Sequence, residues 1–251
     1  MAHGGSCTAV GAITLKNVSK EHVLAGGGRL SVLESISFEV ADHSFTSILG
    51  PSGCGKSTIL NLIAGLDKHS SGEIKIDGAR VGLVFQQPRL LNWRTVADNV
   101  VLPLEGQLSD KAALRVIAQQ YLTLVGLAGH EDYFPLQLSG GMQQRVAIAR
   151  ALAIDPDVLL MDEPFSGLDE ITARKLRQEL LRIWQDTGKT ILFVTHSIAE
   201  SVFLSQQVLI VSEKPARIFK STKIDLPYPR QYGDIRLFEI ETKLTNEFLQ
   251  L

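Results

Sequence analysis

The chain has 251 residues, 45% of them hydrophobic and 21% charged, and its 25 Lys and Arg against 27 Asp and Glu leave a formal net charge of -2. This composition predicts a globular protein and argues against fibrous, disordered and non-specific nucleic-acid-binding classes. No apolar run approaches the roughly 18–20 residues that span a bilayer, and the first residues lack the basic flank and apolar stretch of a signal peptide. Two cysteines, Cys7 and Cys54, are too few for a disulfide framework or a thiolate metal site and fit a reducing compartment.

The first quarter of the chain predicts a small antiparallel sheet. Residues up to about Ala12 are small and polar, which is typical of a loose terminus. Two alternating stretches, Ile13–Val18 and Ile36–Val40, predict strands on either side of a turn at residues 25–28.

A strand, a glycine-rich loop and a helix follow in that order. Phe45–Leu49 is a buried-strand pattern, and the apolar run from Thr58 to Ala64 predicts a helix that ends at Gly65. Residues 73–76 and 81–85 then predict two strands joined by a short hairpin.

From about Pro88 to Pro156 the pattern is helical. Lys111–Val125 lacks any strand signature, and four apolar residues share one helical face: Met142, Val146, Ala149 and Ala153. The region predicts an inserted helical unit.

Continuous apolar strands then alternate with helices. Val158–Met161, Thr190–Thr195 and Val208–Val211 read as buried strands, and Ala173–Gln185 reads as an amphipathic helix. This alternation predicts an α/β fold whose mainly parallel sheet is covered on both faces.

Residues 50–57 match the pattern G-x-x-x-x-G-K-[ST] between a predicted strand and a predicted helix. In such a loop the backbone N–H groups cradle phosphates, Lys56 reaches the β- and γ-phosphates, and the Ser57 hydroxyl ligates Mg²⁺. The alternative is a simple glycine turn. The residues expected to bind phosphate are Gly50, Pro51, Ser52, Gly53, Cys54, Gly55, Lys56, Ser57 and Thr58.

Two acidic residues end the strand at Met161. At the carboxyl end of a parallel strand, Asp162 could hold the Mg²⁺ hydration shell and Glu163 could accept a proton from attacking water. Taken alone, the run Asp-Glu-Pro is equally a strand-to-turn ending.

A second anion site is predicted at the start of another helix. Ser139 is a suitable N-cap, and Gly140 and Gly141 leave the first N–H groups bare. With Leu138 before them and Gln143 after them, these residues resemble the signature of the nucleotide-binding subunits of ABC transporters. In that family two copies associate head to tail, and the signature of each copy acts on the ATP of the other.

The resemblance covers nearly the whole chain and implies roles for further residues. Gln86 resembles the glutamine that couples Mg²⁺ and the γ-phosphate to the helical unit, Asp169 the residue of the dimer loop, and His196 the switch histidine. The implied catalytic residues are Glu163, His196 and Gln86, and the implied Mg²⁺ ligands are Ser57, Gln86 and Asp162. Outside this context, a histidine at a strand end is more often merely exposed or packed in a core.

The implied fold is a single P-loop NTPase domain over residues 1–251 with an antiparallel β subdomain at its N-terminal side. The nucleotide-binding core would comprise about 13–87 and 156–224, the inserted α-helical signature subdomain about 88–155, and the tail about 225–251.

Residues 84–96, 161–166 and 225–230 are similar to the nitrate/sulfonate/taurine/bicarbonate importer ATPases. The chain departs from that group at Asn92, Gly167 and Ser197 and in the short predicted hairpin, and none of these positions contacts phosphate in the family pattern.

This resemblance implies ATP and Mg²⁺ as cofactors and a second copy of the chain as a partner. It also implies an integral membrane permease, an indirect substrate-binding protein, no nucleic acid, and a peripheral place on the cytoplasmic side of the inner membrane. The implied function is the ATP-hydrolysing subunit of an importer that drives uptake of a small anion or related nutrient through that permease. Three alternatives stay open: the ATPase of an exporter or lipid-trafficking system with a separate permease, a soluble non-transport ABC protein, and a non-hydrolysing scaffold subunit.

Two surface expectations complete the sequence prediction. Residues from Gln86 to about Val100 should contact the permease, with Leu90, Leu91 and Trp93 exposed as an apolar anchor; the alternative is that Trp93 packs inside the helical unit. His22 takes the place, just after the first strand, where relatives stack an aromatic ring on adenine; the alternative is a solvated loop residue.

Overall fold

The computed structural model describes residues 12–23, 27–77 and 80–250. Residues 1–11 of the predicted loose terminus, which include Cys7, lie outside these residues, as do Gly78 and half of the predicted turn at 25–28. The strands are β1 (Ile13–Val23), β2 (Arg29–Val40), β3 (Phe45–Leu49), β4 (Ser71–Ile76), β5 (Val81–Val84), β6 (Val158–Asp162), β7 (Thr190–Thr195), β8 (Gln207–Val211) and β9 (Ile218–Lys223). The α-helices are α1 (Lys56–Ile63), α2 (Val96–Val101), α3 (Lys111–Leu124), α4 (Gly140–Ala153), α5 (Glu170–Thr187), α6 (Ile198–Leu204) and α7 (Ile235–Phe248).

A six-stranded sheet in the order β5-β6-β7-β3-β8-β9 forms the centre of the molecule. All its neighbouring strands are parallel except β9, which runs antiparallel to β8. Every residue of β7 is buried, and its side chains alternate between two cores: Ile191 and Phe193 on one face, Leu192 and Val194 on the other. A strand buried on both faces needs a continuous apolar run, so the predicted parallel sheet is confirmed.

The predicted antiparallel sheet is also confirmed, but its strands are longer than expected. It has the order β2-β1-β4, and β1 continues five residues past Val18 to Val23. The apolar alternation ends at Val18, since the next four residues are polar, but the backbone pairing with β2 continues to Val23.

The predicted hairpin between residues 73–76 and 81–85 is wrong. β4 pairs with β1 in the small sheet, whereas β5 pairs with β6 at the edge of the large one. Two strands with a short connection need not pair with each other when each has a better partner elsewhere in the chain.

Between β5 and β6 the chain is helical as predicted. Helices α2, α3 and α4 pack against one another, and the predicted face of α4 contacts the core, with Val146, Ala149 and Ala153 buried and Met142 half-buried. The subdomain limits near 88 and 155 stay a prediction. Among the described residues, no helix has the length and apolar character needed to cross a membrane.

The tail beyond residue 224 is anchored by one buried arginine. The guanidinium of Arg230 donates to backbone carbonyls of Leu226, Val202 and Ser205, and the Tyr228 hydroxyl donates to the carbonyl of Leu204 at 2.7 Å. Because the carbonyls of Val202, Leu204 and Ser205 lie at the end of α6, these bonds hold the tail against α6 before α7 begins.

Candidate active site

The phosphate loop lies between the carboxyl end of β3 and the start of α1. A Cβ on Gly50 would stand 2.4 Å from Cγ2 of Val211, so only glycine fits where β8 passes the loop. Gly53 and Gly55 have φ angles of 77° and 122°, a region that favours glycine. The glycine spacing therefore reflects one steric limit and two backbone conformations.

Lys56 lies inside the loop. Its side chain is 4% exposed, and its ammonium donates to the carbonyls of Gly50 and Pro51 at 2.8 Å each. These carbonyls hold a buried cation at the N-terminal end of α1, where the helix dipole also favours an anion. Burial raises the pKa of the adjacent Cys54 thiol, so Cys54 packs here as a neutral side chain.

Ser57 and Asp162 meet beside this lysine. The Ser57 hydroxyl donates to Oδ1 of Asp162 at 3.1 Å. Burial, with help from the charge of Glu163, raises the pKa of Asp162, while the bond from Ser57 opposes that rise. A hydroxyl and a carboxylate at the edge of a phosphate site form a donor set that suits Mg²⁺, which takes oxygen ligands together with substrate phosphates.

Three predicted residues converge on the Glu163 carboxylate. Nε2 of Gln86 donates to Oε2 at 3.1 Å, Nδ1 of His196 lies 3.3 Å from Oε1, and Nζ of Lys56 lies 3.9 Å from Oε1. Gln86 follows β5, His196 follows β7, and Lys56 begins α1 after the phosphate loop. The structure therefore brings together all three residues that the sequence predicts as catalytic.

The backbone at Glu163 explains how its side chain reaches this position. Its φ is 43°, a left-handed conformation that typically costs a non-glycine residue about 1–3 kcal/mol. The turn is held by Glu163 N donating to the carbonyl of Val194 at 3.0 Å and by the Ser166 hydroxyl donating to the Glu163 carbonyl at 2.9 Å. The strain is thus maintained by neighbours on both sides.

The switch segment is fixed by residues that the sequence analysis missed. Oε2 of Glu200 accepts the Thr195 hydroxyl at 2.6 Å, and the buried Arg177 contacts Oε1 of Glu200 at 3.5 Å. Burial raises the pKa of Glu200. Because Thr195 precedes His196, this network holds the backbone that carries the histidine.

A cavity of about 330 Å³ opens at the phosphate loop. Its lining residues are Ser52, Gly53, Gly55, Lys56, Ser57, Thr58, Gln86, Glu163 and Lys214. Cavities of about 620 and 450 Å³ lie among α2 and α3 and beneath α7, but neither contains a residue of the phosphate loop or Glu163. The smallest of these three cavities is therefore the one lined by the phosphate loop, Gln86 and Glu163.

The signature residues lie apart from this cavity. Ser139 is exposed and caps α4 by accepting from Met142 N at 3.3 Å. A Cβ on Gly140 would meet nothing within 4 Å, whereas one on Gly141 would meet Leu168 and Thr172 at 3.3 Å. None of the predicted signature residues lines the phosphate cavity.

Gln143 has a structural function within this chain. Its side-chain amide donates to the carbonyls of Pro135 at 3.0 Å and Leu138 at 3.3 Å. These bonds brace the segment that leads into the signature.

The dimer-loop residue Asp169 is exposed and caps α5, accepting from Thr172 N at 3.0 Å. The bond from Thr172 N holds the pKa of Asp169 below its usual value. Gly167, the glycine that departs from the importer pattern, has a φ of 75°, which favours glycine over alanine at this turn.

The loop after Gln86 is held from two sides. Arg150 of α4 donates to the carbonyls of Pro88 and Arg89 at 2.7 and 3.0 Å. The fully buried Asn99 accepts from Leu91 N at 2.8 Å and donates to the Leu91 carbonyl at 3.1 Å. In the sequence, the only sign of this contact is a single asparagine, Asn99, within the mostly apolar run Val96–Val101.

Trp93 is 75% exposed, so the alternative that it packs inside the helical unit is wrong. The expectation that Leu90 and Leu91 are exposed is also wrong, since both are half-buried and Leu90 packs against the core. Asn99 draws the backbone at Leu91 inward, which leaves Trp93 as the exposed apolar residue of this loop.

His22 is exposed, but it lies within β1, so both its predicted place after the first strand and the alternative of a loop residue are wrong. It is paired in register with Leu30 of β2, so its position is set by strand pairing. Stacking of the His22 ring on adenine stays a prediction.

Comparison with known proteins places this geometry among related chains. Residues 33–166 match the family model described as ABC transporter. An uncharacterized ABC transporter ATP-binding protein of Methanocaldococcus jannaschii, MJ0412, is 48% identical over 88% of this chain and 85% of its own length. The aliphatic sulfonates import ATP-binding protein SsuB of Bacillus cereus is 43% identical over 94% and 95% of the two chains. The taurine import ATP-binding protein TauB of Yersinia pestis is 46% identical over 80% and 81%.

Solved structures show the same architecture. The dimeric ATP-binding cassette MJ0796 in a post-hydrolysis state with ADP and Pi aligns with a TM-score of 0.78 at 34% identity, covering 86% of this chain and 100% of that one. Another structure, described as dimeric MJ0796, a bacterial ABC transporter cassette, gives a TM-score of 0.79 at the same identity. The predicted P-loop NTPase fold is confirmed.

Proposed function

The chain belongs to the ABC transporter family and is an ATP hydrolase of that family, and we propose that it powers an importer as a head-to-tail dimer. The observation that carries the proposal is the convergence of Gln86, His196 and Lys56 on the Glu163 carboxylate, at the edge of the phosphate cavity. In this proposal Glu163 is the general base, with the Lys56 ammonium 3.9 Å from its carboxylate, and the phosphate loop lines the cavity that would hold the phosphates.

In the proposed reaction, Glu163 accepts a proton from the water that attacks the γ-phosphorus. The bond from that phosphorus to the bridging oxygen breaks, and ADP and inorganic phosphate leave. Lys56 and the backbone N–H groups of the phosphate loop hold the phosphates, while Gln86 and His196 orient the carboxylate and the water. Mg²⁺ held by Ser57, Gln86 and Asp162 supplies charge neutralisation on the phosphate oxygens when it is bound.

The signature supports a second copy of the chain as partner. Gly140 presents an exposed helix N-terminus with open space around its Cα, away from this chain's own cavity. We propose that Ser139, Gly140, Gly141 and the helix they open contact the ATP held by the partner copy, with Asp169 beside them. The MJ0796 neighbours are described as dimeric, which agrees with this arrangement.

We propose that an integral membrane permease contacts the loop after Gln86, so that the protein lies on the cytoplasmic face of the membrane. The loop is tied to α4 through Arg150, and α4 begins at the signature. A permease that displaces the loop at Trp93 would therefore also displace α4, which carries the signature at its start.

The proposed cargo is a small anion of the nitrate, sulfonate, taurine or bicarbonate type, delivered by a separate substrate-binding protein. SsuB and TauB are named for the import of aliphatic sulfonates and taurine, and they cover most of this chain. If a permease and a substrate-binding protein copurify with this chain, uptake of labelled taurine and nitrate into vesicles that contain all three tests the cargo class.

The decisive experiment for the ATPase and its dimer is Glu163→Gln. An amide orients water but takes no proton, so turnover should fall by more than about hundredfold while ATP binding persists. Size-exclusion chromatography with ATP should then show a stable dimer, with Glu179→Gln, an exposed glutamate on α5, as the matched control. Normal hydrolysis by Glu163→Gln, or a monomer at high protein concentration with ATP, would contradict the proposal.

Trp93→Ala tests the permease contact. Since the side chain is exposed, the isolated ATPase rate and thermal midpoint should not change, whereas transport with the permease should fall by more than about tenfold, the loss expected for an interface hot spot. Leu249→Ala removes an equally exposed apolar residue from the end of the chain and should leave transport intact. Full transport by Trp93→Ala would rule out this anchor.

A further inference from the structure

One cation at the phosphate cavity has no function in the mechanism above. Lys214 lies in the loop between β8 and β9 and lines the same cavity as Ser52 and Gly53 of the phosphate loop. The cavity's other lining lysine is Lys56.

The loop that carries Lys214 is rigidly anchored. Ala216 N donates to the carbonyl of Val32, and Glu34 N donates to the carbonyl of Ala216, both at 2.9 Å. At the other side, the Ser212 hydroxyl accepts from Arg217 N at 3.0 Å. The backbone on both sides of Lys214 is therefore fixed to β2 and to the end of β8, which sets where the ammonium can reach.

The charge of Lys214 is uncompensated in the described part of the chain. The neighbouring Arg217 is paired with Glu34 at 2.7 Å, but Lys214 is exposed and forms no ion pair or hydrogen bond with any described residue. Its charge lowers the pKa of Cys54 inside the phosphate loop, although burial dominates there. The ammonium thus acts on the loop and has no partner of its own.

Lys56 and Lys214 differ in what they can offer a ligand. Lys56 is buried and already donates to two carbonyls of the loop, whereas Lys214 keeps all its donors for groups outside the protein. We infer that Lys214 is a second phosphate-binding lysine, whose ammonium contacts the phosphate chain of the bound nucleotide from the open side of the cavity. This inference rests on the proposed nucleotide site and adds a residue to it.

The test compares Lys214→Ala with Lys223→Ala, which removes the same charge from an exposed position on β9 away from the cavity. In titrations of the full chain at low salt, Lys214→Ala should bind ADP and ATP about two- to fivefold more weakly, as expected for an exposed charge pair. Lys214→Arg should restore affinity, and Lys214→Glu should lower it further. The difference should shrink as salt is raised, because screening weakens exposed charges.

Kinetics separate phosphate binding from other functions. Lys214→Ala should raise the KM for ATP and keep kcat, since Glu163, Gln86 and His196 are unchanged. Equal nucleotide affinity of Lys214→Ala and Lys223→Ala overturns the inference. So does normal nucleotide affinity with a weaker ATP-dependent dimer, which would assign Lys214 to the partner copy. A wild-type chain that binds no ADP or ATP would instead overturn the nucleotide site as a whole.

Discussion

The phosphate loop and the signature segment both place glycines at the start of a helix, yet they are built differently. At the phosphate loop, Gly50 is packed against Val211 and a buried lysine is held by the loop's own carbonyls. At the signature, Gly140 faces open space, Ser139 is exposed, and the surrounding bonds, such as those from Gln143, only brace the segment.

This difference indicates that the phosphate site is complete within one chain and that the signature is not. At the phosphate loop the Ser57 hydroxyl donates to Asp162 at 3.1 Å, and the Lys56 ammonium lies 3.9 Å from the Glu163 carboxylate. The signature offers the positive end of α4, where Ser139 caps Met142 N, and none of its predicted residues lines the phosphate cavity. An anion site of that kind needs an anion supplied by something else, and a second copy carrying ATP satisfies that need.

Lys56→Ala should produce the largest effect, because it breaks the complete site. Loss of the buried cation should abolish hydrolysis, by more than about hundredfold, and weaken ATP binding. Lys16→Ala, an exposed lysine of β1, is the control in ATPase and nucleotide-titration assays. A Lys56→Ala chain with near-normal turnover would show that the phosphate loop is not the site.

Gly140→Ala should separate the two regions. The added methyl meets nothing in the chain itself, so the thermal midpoint and ATP binding by the monomer should be unchanged. In the dimer the methyl would stand between α4 and the partner's ATP, and hydrolysis should fall by about tenfold or more. If ATP binding by the monomer falls instead, the signature acts on the ATP of its own chain and does not need a second copy.

Asp162→Asn tests the cost of burying a charge in the phosphate region, where the adjacent carboxylates of Asp162 and Glu163 are half-buried. Because burial raises the pKa of Asp162, the ionised form destabilises the folded state at neutral pH. Without Mg²⁺ and nucleotide, Asp162→Asn should unfold at a higher temperature than wild type at about pH 7. The gap should close as pH falls toward the usual aspartate value of about 3.9, where wild type becomes protonated.

The matched control for this prediction is Asp225→Asn, an exposed carboxylate. A gap between Asp162→Asn and wild type that widens as pH falls would contradict the raised pKa.

His22 should give the smallest effect, at the end of the nucleotide away from the phosphates. If the ring stacks on adenine, His22→Tyr should tighten ATP binding several-fold and His22→Ala should loosen it by less than about tenfold, or ~1.4 kcal/mol. Because stacking reads a ring face, GTP should be accepted too. His69→Ala, at an exposed histidine, is the control. Equal ATP affinity of the wild type, His22→Tyr and His22→Ala in the titration would exclude stacking by His22.

Local patterns determined much of this protein. The loop at residues 50–57, the acidic end of β6, the buried strands β3 and β7 and the signature cap at Ser139 follow from residues that are close in sequence. Their physical basis is local: glycine conformations, helix capping and a side-chain period of two along a strand.

Only the tertiary structure decided which distant groups meet. Strand pairing separated β4 from β5, and hydrogen bonds from Asn99 fixed the backbone at Leu91, which is half-buried. The anchored loop between β8 and β9 brought Lys214 to the phosphate cavity. Strand partners and buried hydrogen bonds join residues far apart in the chain, so their choice depends on the free energy of the whole fold and no local pattern contains it.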